Sequence, residues 1–210
     1  MSVWSSVFEC PVYTSIEDEI WLEQLPAANR RLIETDKAEI VPGVSAIKTG
    51  GHFDGSLLLH WQDHLFHADT FLVTLSGLSS SMEHVKGRTV TYSFMYSPPN
   101  MLPLAPAAIQ NIWTGIKPFG FKHTHGAFSG QSISGTDLKE RLLDSMRVFI
   151  QHEGHSDHEF LDVPLDEGKS STLLRKWDGD PCSGANHEQP GKYVEMHDEG
   201  WMSRRELEGR

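Results

Sequence analysis

Cysteine is nearly absent: Cys10 and Cys182 are the two in a chain of 210 residues. They lie far apart in segments of different character, so they form neither a disulfide framework nor a Cys-x-x-Cys metal or redox pair. A reducing, cytoplasmic compartment fits that usage best. Basic residues are scarce too, with 18 Lys and Arg against 29 Asp and Glu and a net charge of −11. Clustered Lys and Arg hold phosphate backbones and anionic bilayers, so the expected partners include neither nucleic acid nor a membrane surface. No run of about 18 apolar residues occurs, which argues against a membrane span. The opening "MSVWSSVFECPVYTS" has neither the basic start nor the apolar stretch of a signal peptide.

Apolar residues are also sparse, at 38%, so some segment is expected to bury little. Charge locates it: residues 1–150 hold 15 acids and 11 bases, whereas 151–210 hold 14 and 7. In that second part, "GHSDHEFLDVPLDEGKSS" and "DGDPCSGANHEQPGK" are polar, aperiodic and punctuated by Gly and Pro. Such composition cannot bury enough apolar surface to offset the entropy of ordering. The expected organisation is therefore a domain over 1–154 followed by an acidic, largely disordered tail over 155–210.

What remains is patterned. "VFECPVY" (7–13) reads as a buried strand, and Ser15 is placed to cap a helix over "IEDEIWLEQL". A buried strand normally has a neighbour, and for this one the neighbour is expected to be absent. Short β-prone runs at 30–35, 44–49, 56–61 and 64–69 follow, broken by Pro-Gly, Gly-Gly and Gln-Asp; the Gln62-Asp63 link suits a hairpin. Residues 75–88 read as a polar loop, and 89–97 as a further strand or the approach to a site. After Pro106, Ile109, Ile112, Trp113 and Ile116 fall on one helical face. A short strand ends in His-Thr-His-Gly, and Ser134 with Asp137 is expected to box the start of a last helix striped by Leu138, Leu142, Met146 and Phe149. Strands followed by helices make this an α+β chain.

Most of the twelve histidines need no special role. Those in or near the tail, including "HEGHSDH", read as solvated, and His60 and His64 flank the hairpin turn on solvent-facing positions. His52, Asp69 and His125 stand apart, because each ends a β segment or its turn beside a glycine or small residue. Strand-end loops over a rigid sheet are where metal sites are built, and imidazole with carboxylate is a ligand set for zinc or iron. His67 and His123 lie two residues before Asp69 and His125, placed to orient them. Cys10, in its strand, is expected to be inert.

The stretch "GGHFDGSLLLHW…LFHADTF…SFMYSPPNMLPL…FKHTHGAF" resembles the C-terminal half of metallo-β-lactamase-fold proteins, specifically the fungal and bacterial type without a fixed substrate. The resemblance spans about residues 3–152 and implies a metallo-β-lactamase-like αββα sandwich. It implies metal ligation by His52 to one ion, by Asp69 bridging two, and by His125 to the second. Zinc, or iron, as one or two ions, would then serve hydrolysis of a small-molecule substrate, with Tyr96 or Asn100 on the substrate side and Gly55 and Ser56 shaping the turn. The superfamily's His-x-His-x-Asp-His segment does not occur in this sequence, so the sandwich is expected to be incomplete, with impaired or no activity. A second copy or a partner chain would cover the exposed sheet. The alternative is a non-catalytic fragment or protein-interaction module that keeps the half-fold.

Overall fold

The computed structural model describes residues 2–22, 29–79 and 84–165. Most of the expected tail, from residue 166, lies outside the described residues.

The chain opens with helix α1 (Ser2–Phe8), strand β1 (Val12–Ser15), a 3-10 turn (Ile16–Trp21) and β2 (Arg30–Ile33). This corrects the expectation of a buried strand over 7–13. Val3, Trp4, Val7 and Phe8 are all well exposed, and Trp4 stacks on Phe8 with ring centroids 5.6 Å apart. Their spacing is helical, and a short apolar run does not by itself distinguish helix from strand. Pro11 then separates the helix from β1. Nor does β1 lack a neighbour: it pairs in parallel with β2, Val12 opposite Arg30 through Ser15 opposite Ile33. Ser15 makes no cap, because its hydroxyl bonds the Glu17 carboxylate. Glu17 also takes the Lys48 ammonium at 2.7 Å, and that bond first, with Ser15 second, holds its carboxyl down at about 2.

The centre of the fold is a six-stranded sheet. Strands β3 (Lys37–Val41), β4 (Val44–Lys48), β5 (Leu57–Trp61) and β6 (His64–Ala68) form an antiparallel meander, and β11 (His123–Gly126) and β12 (Ser132–Ser134) complete the order β12-β11-β6-β5-β4-β3. The first turn uses Pro42 and Gly43 with φ +80° at the glycine, the type II requirement. The β5–β6 turn is Gln62-Asp63, as expected, with Gln62 left-handed at φ 55°. The β6–β11 pair is parallel. A parallel pair needs a long crossover. It runs through β7 (Leu72–Val73), the short helix α2 (Leu75–Leu78), β8 (Tyr92–Ser93), β9 (Met95–Ser97), β10 (Leu102–Pro103) and α3 (Pro106–Ile116).

Alternation along the strands sends Ile47, Leu58 and Leu65 to one face, where they join a single core with α3 and α4 (Leu138–His152). Both helices fall where the periodicity puts them. Ile109, Ile112, Trp113 and Ile116 are all buried, as are Leu138, Leu142 and Met146, with Phe149 packed against them. The expected capping box is absent: Asp137 is itself the N-cap, and its carboxylate accepts from Arg141 Nε at 2.8 Å instead of from backbone. Residues 155–165 also depart from expectation. A 3-10 turn (Glu159–Asp162) carries Phe160 into the core at 0% exposure, so the packed unit runs past 154. Cys10 is exposed.

Glu153, at the C-terminal end of α4, has its Oε1 sealed from solvent with no hydrogen-bond partner. Burial pushes its carboxyl from the ordinary 4.5 up to about 7. An acid whose pKa rises on folding penalises the native state once ionised, so stability falls as pH rises through that window and stays lower above it. Glu153→Gln is expected to melt above the wild type at pH 8 and together with it at pH 4. An equal gap at both pH values in thermal melts would contradict the assignment.

Candidate metal centre

Strand β6 carries polar side chains at both ends and on both faces. Its alternation puts His64 and Phe66 on the face away from the helices and Leu65 and His67 in the core, where both are 0% exposed. The parallel register sets His123 opposite His64, Thr124 opposite Leu65 and His125 opposite Phe66. The register then slips, so that Gly126 meets Ala68. Ala68 sits in the left-handed region at φ 47°. A bulge of this kind re-aims the side chain that follows, here Asp69.

At that end the polar atoms are short of partners. Asp69 Oδ1 is sealed from solvent without a hydrogen bond, and so are both ring nitrogens of His67. The His67 ring stacks on Phe71 at 4.1 Å between centroids. Burial first pushes its pKa down to about 4, with the nearby charge of His125 adding to the fall; the backbone of Phe71 and Ala68 opposes this but forms no bond of acceptable geometry. His67 is therefore neutral at pH 7. Gly126 is required beside it, because a Cβ there would come within 3.1 Å of His67 Cε1 and 2.7 Å of Gln131 Cβ.

His52 lies in the turn between β4 and β5, after Gly50 and Gly51 at φ +64° and +108°. Gly55 and Ser56 shape that turn as expected: Gly55 N–H donates to Asp18 Oδ1 at 3.2 Å, and Phe53 N–H to Ser56 Oγ at 2.9 Å. His52 Nδ1 is 2.8 Å from the Tyr96 carbonyl. A carbonyl only accepts, so Nδ1 carries a proton and Nε2 is the nitrogen left for a ligand. That arrangement, one imidazole nitrogen held by a carbonyl, is how metal-ligating histidines are oriented.

His125 is placed differently. Its Nε2 is 3.0 Å from His64 Nδ1 and its Nδ1 is 3.1 Å from Ser132 Oγ, so both ring nitrogens are engaged. Burial first, then His64 and His123, lowers its pKa. The structure does not gather His52, Asp69 and His125 into one cluster of ligand atoms. Among the described residues the cluster it does form is Asp63, His64 and His123, whose ligand atoms all lie within 4.8 Å of one another. The sequence reading left Asp63 unmarked and His64 in solvent. Nothing local signals that two histidines 59 positions apart in number, 64 and 123, share a rung of a ladder.

These elements define an α+β protein whose central sheet bears histidines and carboxylates at both ends of one strand. Compared with models of known protein families, the chain matches none. It is similar to an uncharacterised protein of Bacillus subtilis (strain 168), YmaE, at 28% identity over 126 residues, which is 60% of this chain and 43% of that protein. The chain thus spans less than half the length of this relative. Among the described residues no helix is long and apolar enough to cross a membrane.

Beyond Asp69, β7 pairs with β8 along one edge, and one side chain holds the other edge at Val73. Gln131 Oε1 accepts from Val73 N–H at 2.6 Å and its Nε2 donates to the Val73 carbonyl at 3.2 Å, replacing a strand partner for a residue that is 4% exposed. Removing it leaves two buried backbone groups unpaired, at roughly 1–3 kcal/mol each. Gln131→Ala is expected to lower stability by about 2 kcal/mol or more in urea unfolding, with Gln131→Glu recovering less than half, because a carboxylate cannot donate to the carbonyl. An unchanged midpoint for Gln131→Ala would contradict this role.

Proposed function

We propose that this chain belongs to the metal-dependent hydrolase lineage of the metallo-β-lactamase superfamily, with His52 and Asp69 as its ligands to zinc or iron. The observation that carries the reading is Asp69 Oδ1, a carboxylate oxygen sealed from solvent without a partner, at a strand end whose backbone is bulged and left-handed at Ala68. A carboxylate oxygen sealed from water without a partner is costly, and a cation is a partner that removes the cost. His52 supports it, with Nδ1 held by the Tyr96 carbonyl and Nε2 unclaimed. His125 does not fit the same role in this arrangement, since both of its nitrogens are engaged.

A divalent ion held there supplies a Lewis acid and an acidified water suited to attack on a carbonyl or ester carbon of a small-molecule substrate. The chain's own residues then divide the work. Tyr96 fixes the tautomer of His52, the bulge at Ala68 aims Asp69, Gln131 secures the following strand at Val73, and neutral His67 packs on Phe71 in the core. In an αββα sandwich the helix-free face of one sheet meets a second sheet. Here Trp61 and Phe66, at 43% and 38% exposure, lie on that face, which a second copy or a partner chain would cover.

A second reading is a non-catalytic interaction module, favoured by the engagement of His125 and by the dispersal of the three expected ligands. Metal content by mass spectrometry separates the two, on full-length protein prepared without chelator and checked for folding by circular dichroism. The hydrolase reading expects the wild type to carry one more equivalent of zinc or iron than His52→Ala/Asp69→Asn. Equal content in the two folded proteins would leave the interaction module.

A further inference from the structure

We propose that Asp63, His64 and His123 form a binding site for a first-row divalent transition metal at the N-terminal end of β6. This does not depend on the His52–Asp69 reading.

The site is built by the sheet. The Asp63 carbonyl accepts both Lys122 N–H at 2.8 Å and His123 N–H at 3.0 Å, which fixes the start of β11 against the β5–β6 turn. His64 and His123 consequently face each other across parallel strands, with ring centroids 4.5 Å apart and planes 20° from parallel. His64 Nε2 lies 3.6 Å from Asp63 Oδ1. Bonds of ~2.0–2.2 Å to a tetrahedral zinc put ligand atoms roughly 3.3 Å apart. The cluster, already within 4.8 Å, reaches that spacing by side-chain rotation in residues that are only half-buried.

What distinguishes this cluster from scattered surface histidines is its backing. His64 Nδ1 is bonded to His125 Nε2 at 3.0 Å, and His125 Nδ1 to Ser132 Oγ at 3.1 Å. His123 Nδ1 is bonded to Ser134 Oγ at 2.8 Å. Every ring in the group has its Nδ1 engaged, which leaves the Nε2 atoms of His64 and His123 for a metal. Two serines on alternate positions of β12 thus orient one ligand directly and the other through His125. Imidazole with one carboxylate selects zinc, cobalt, nickel or copper over magnesium and calcium, which prefer oxygen. Three protein ligands leave a position open to water. Lys122 is the opposing charge: its Nζ is 4.0 Å from Asp63 Oδ2, with a side chain 60% exposed, and it must yield when a cation arrives.

The test is a titration of full-length, chelator-stripped protein with Co2+, followed by visible absorption and by Zn2+ displacement. Asp63→Asn and His64→Ala/His123→Ala are each expected to weaken one equivalent at least about 10-fold, the lower bound for losing merely an orienting partner. Lys122→Gln is expected to tighten it, while His52→Ala/Asp69→Asn leaves it unchanged. Histidines other than His52, His64 and His123 contribute equally to every variant and cancel in the comparison, and an equivalent lost with His52 and Asp69 is distinguished by its persistence in Asp63→Asn. Asp63→Asn keeps the shape of the turn and serves if the double alanine variant does not fold. Wild-type Co2+ affinity in Asp63→Asn, or loss of this equivalent in His52→Ala/Asp69→Asn, would overturn the proposal.

Discussion

The parallel pairing of β6 with β11 is the contact that the other parts of this fold depend on. It joins His64–Ala68 to His123–Gly126 and closes a long crossover that contains α3. Closing a loop of that length costs roughly 3–4 kcal/mol in chain entropy. The crossover lays α3 on one face of the sheet, where Ile109, Ile112 and Ile116 are fully buried with Leu58 and Leu65. Each such side chain contributes roughly 1.5–3 kcal/mol, so two or three of them outweigh the closure. The ladder is stable because of the core that its crossover delivers, and the core exists because the ladder brings α3 back.

That pairing also decides what each histidine can do. On the helix-free face, register stacks His64, His123 and His125 beside Phe66, with β12 serines behind them. On the core face the same alternation seals His67 against Phe71. One residue beyond Ala68, the bulge ends the ladder and leaves Asp69 with a buried, unpartnered oxygen. An unsatisfied buried polar atom costs roughly 1–3 kcal/mol, and more when charged. An unpartnered oxygen beside a left-handed backbone is a motive for a ligand at the Asp69 end, whereas the other end of β6 rests on its cluster of ligand atoms.

Much of this was legible in the residues. Pro106 and the isoleucine stripe marked α3, Pro-Gly and Gln-Asp marked the hairpins, and the Gly-Gly-His and His-Ala-Asp segments marked two strand ends. Misreadings arose where long-range geometry decides. The rung that joins His64 to His123 depends on a parallel register between distant strands, and period-two patterns cannot specify which distant strand is the neighbour. His125 looked equivalent to Asp69 as a strand-end residue, yet it points along the ladder to His64 and Ser132. Phe160 was hidden for another reason: a lone aromatic in an acidic stretch gives no periodicity, although it is completely buried in the core. In α1 the helical spacing of Val3, Trp4, Val7 and Phe8 was present in the sequence, but β-prone residue types masked it.

The placement of the histidines and of α3 rests on register, and register is directly measurable. Interstrand nuclear Overhauser effects on the isotope-labelled full chain should join the backbones of Leu65 and Thr124 in a parallel pattern, with ring-proton contacts between His64 and His123. A ladder displaced by one residue would turn His123 into the core and bring Thr124 beside His64. That pattern, or an antiparallel one, would contradict both the placement of the histidines and the origin of the core.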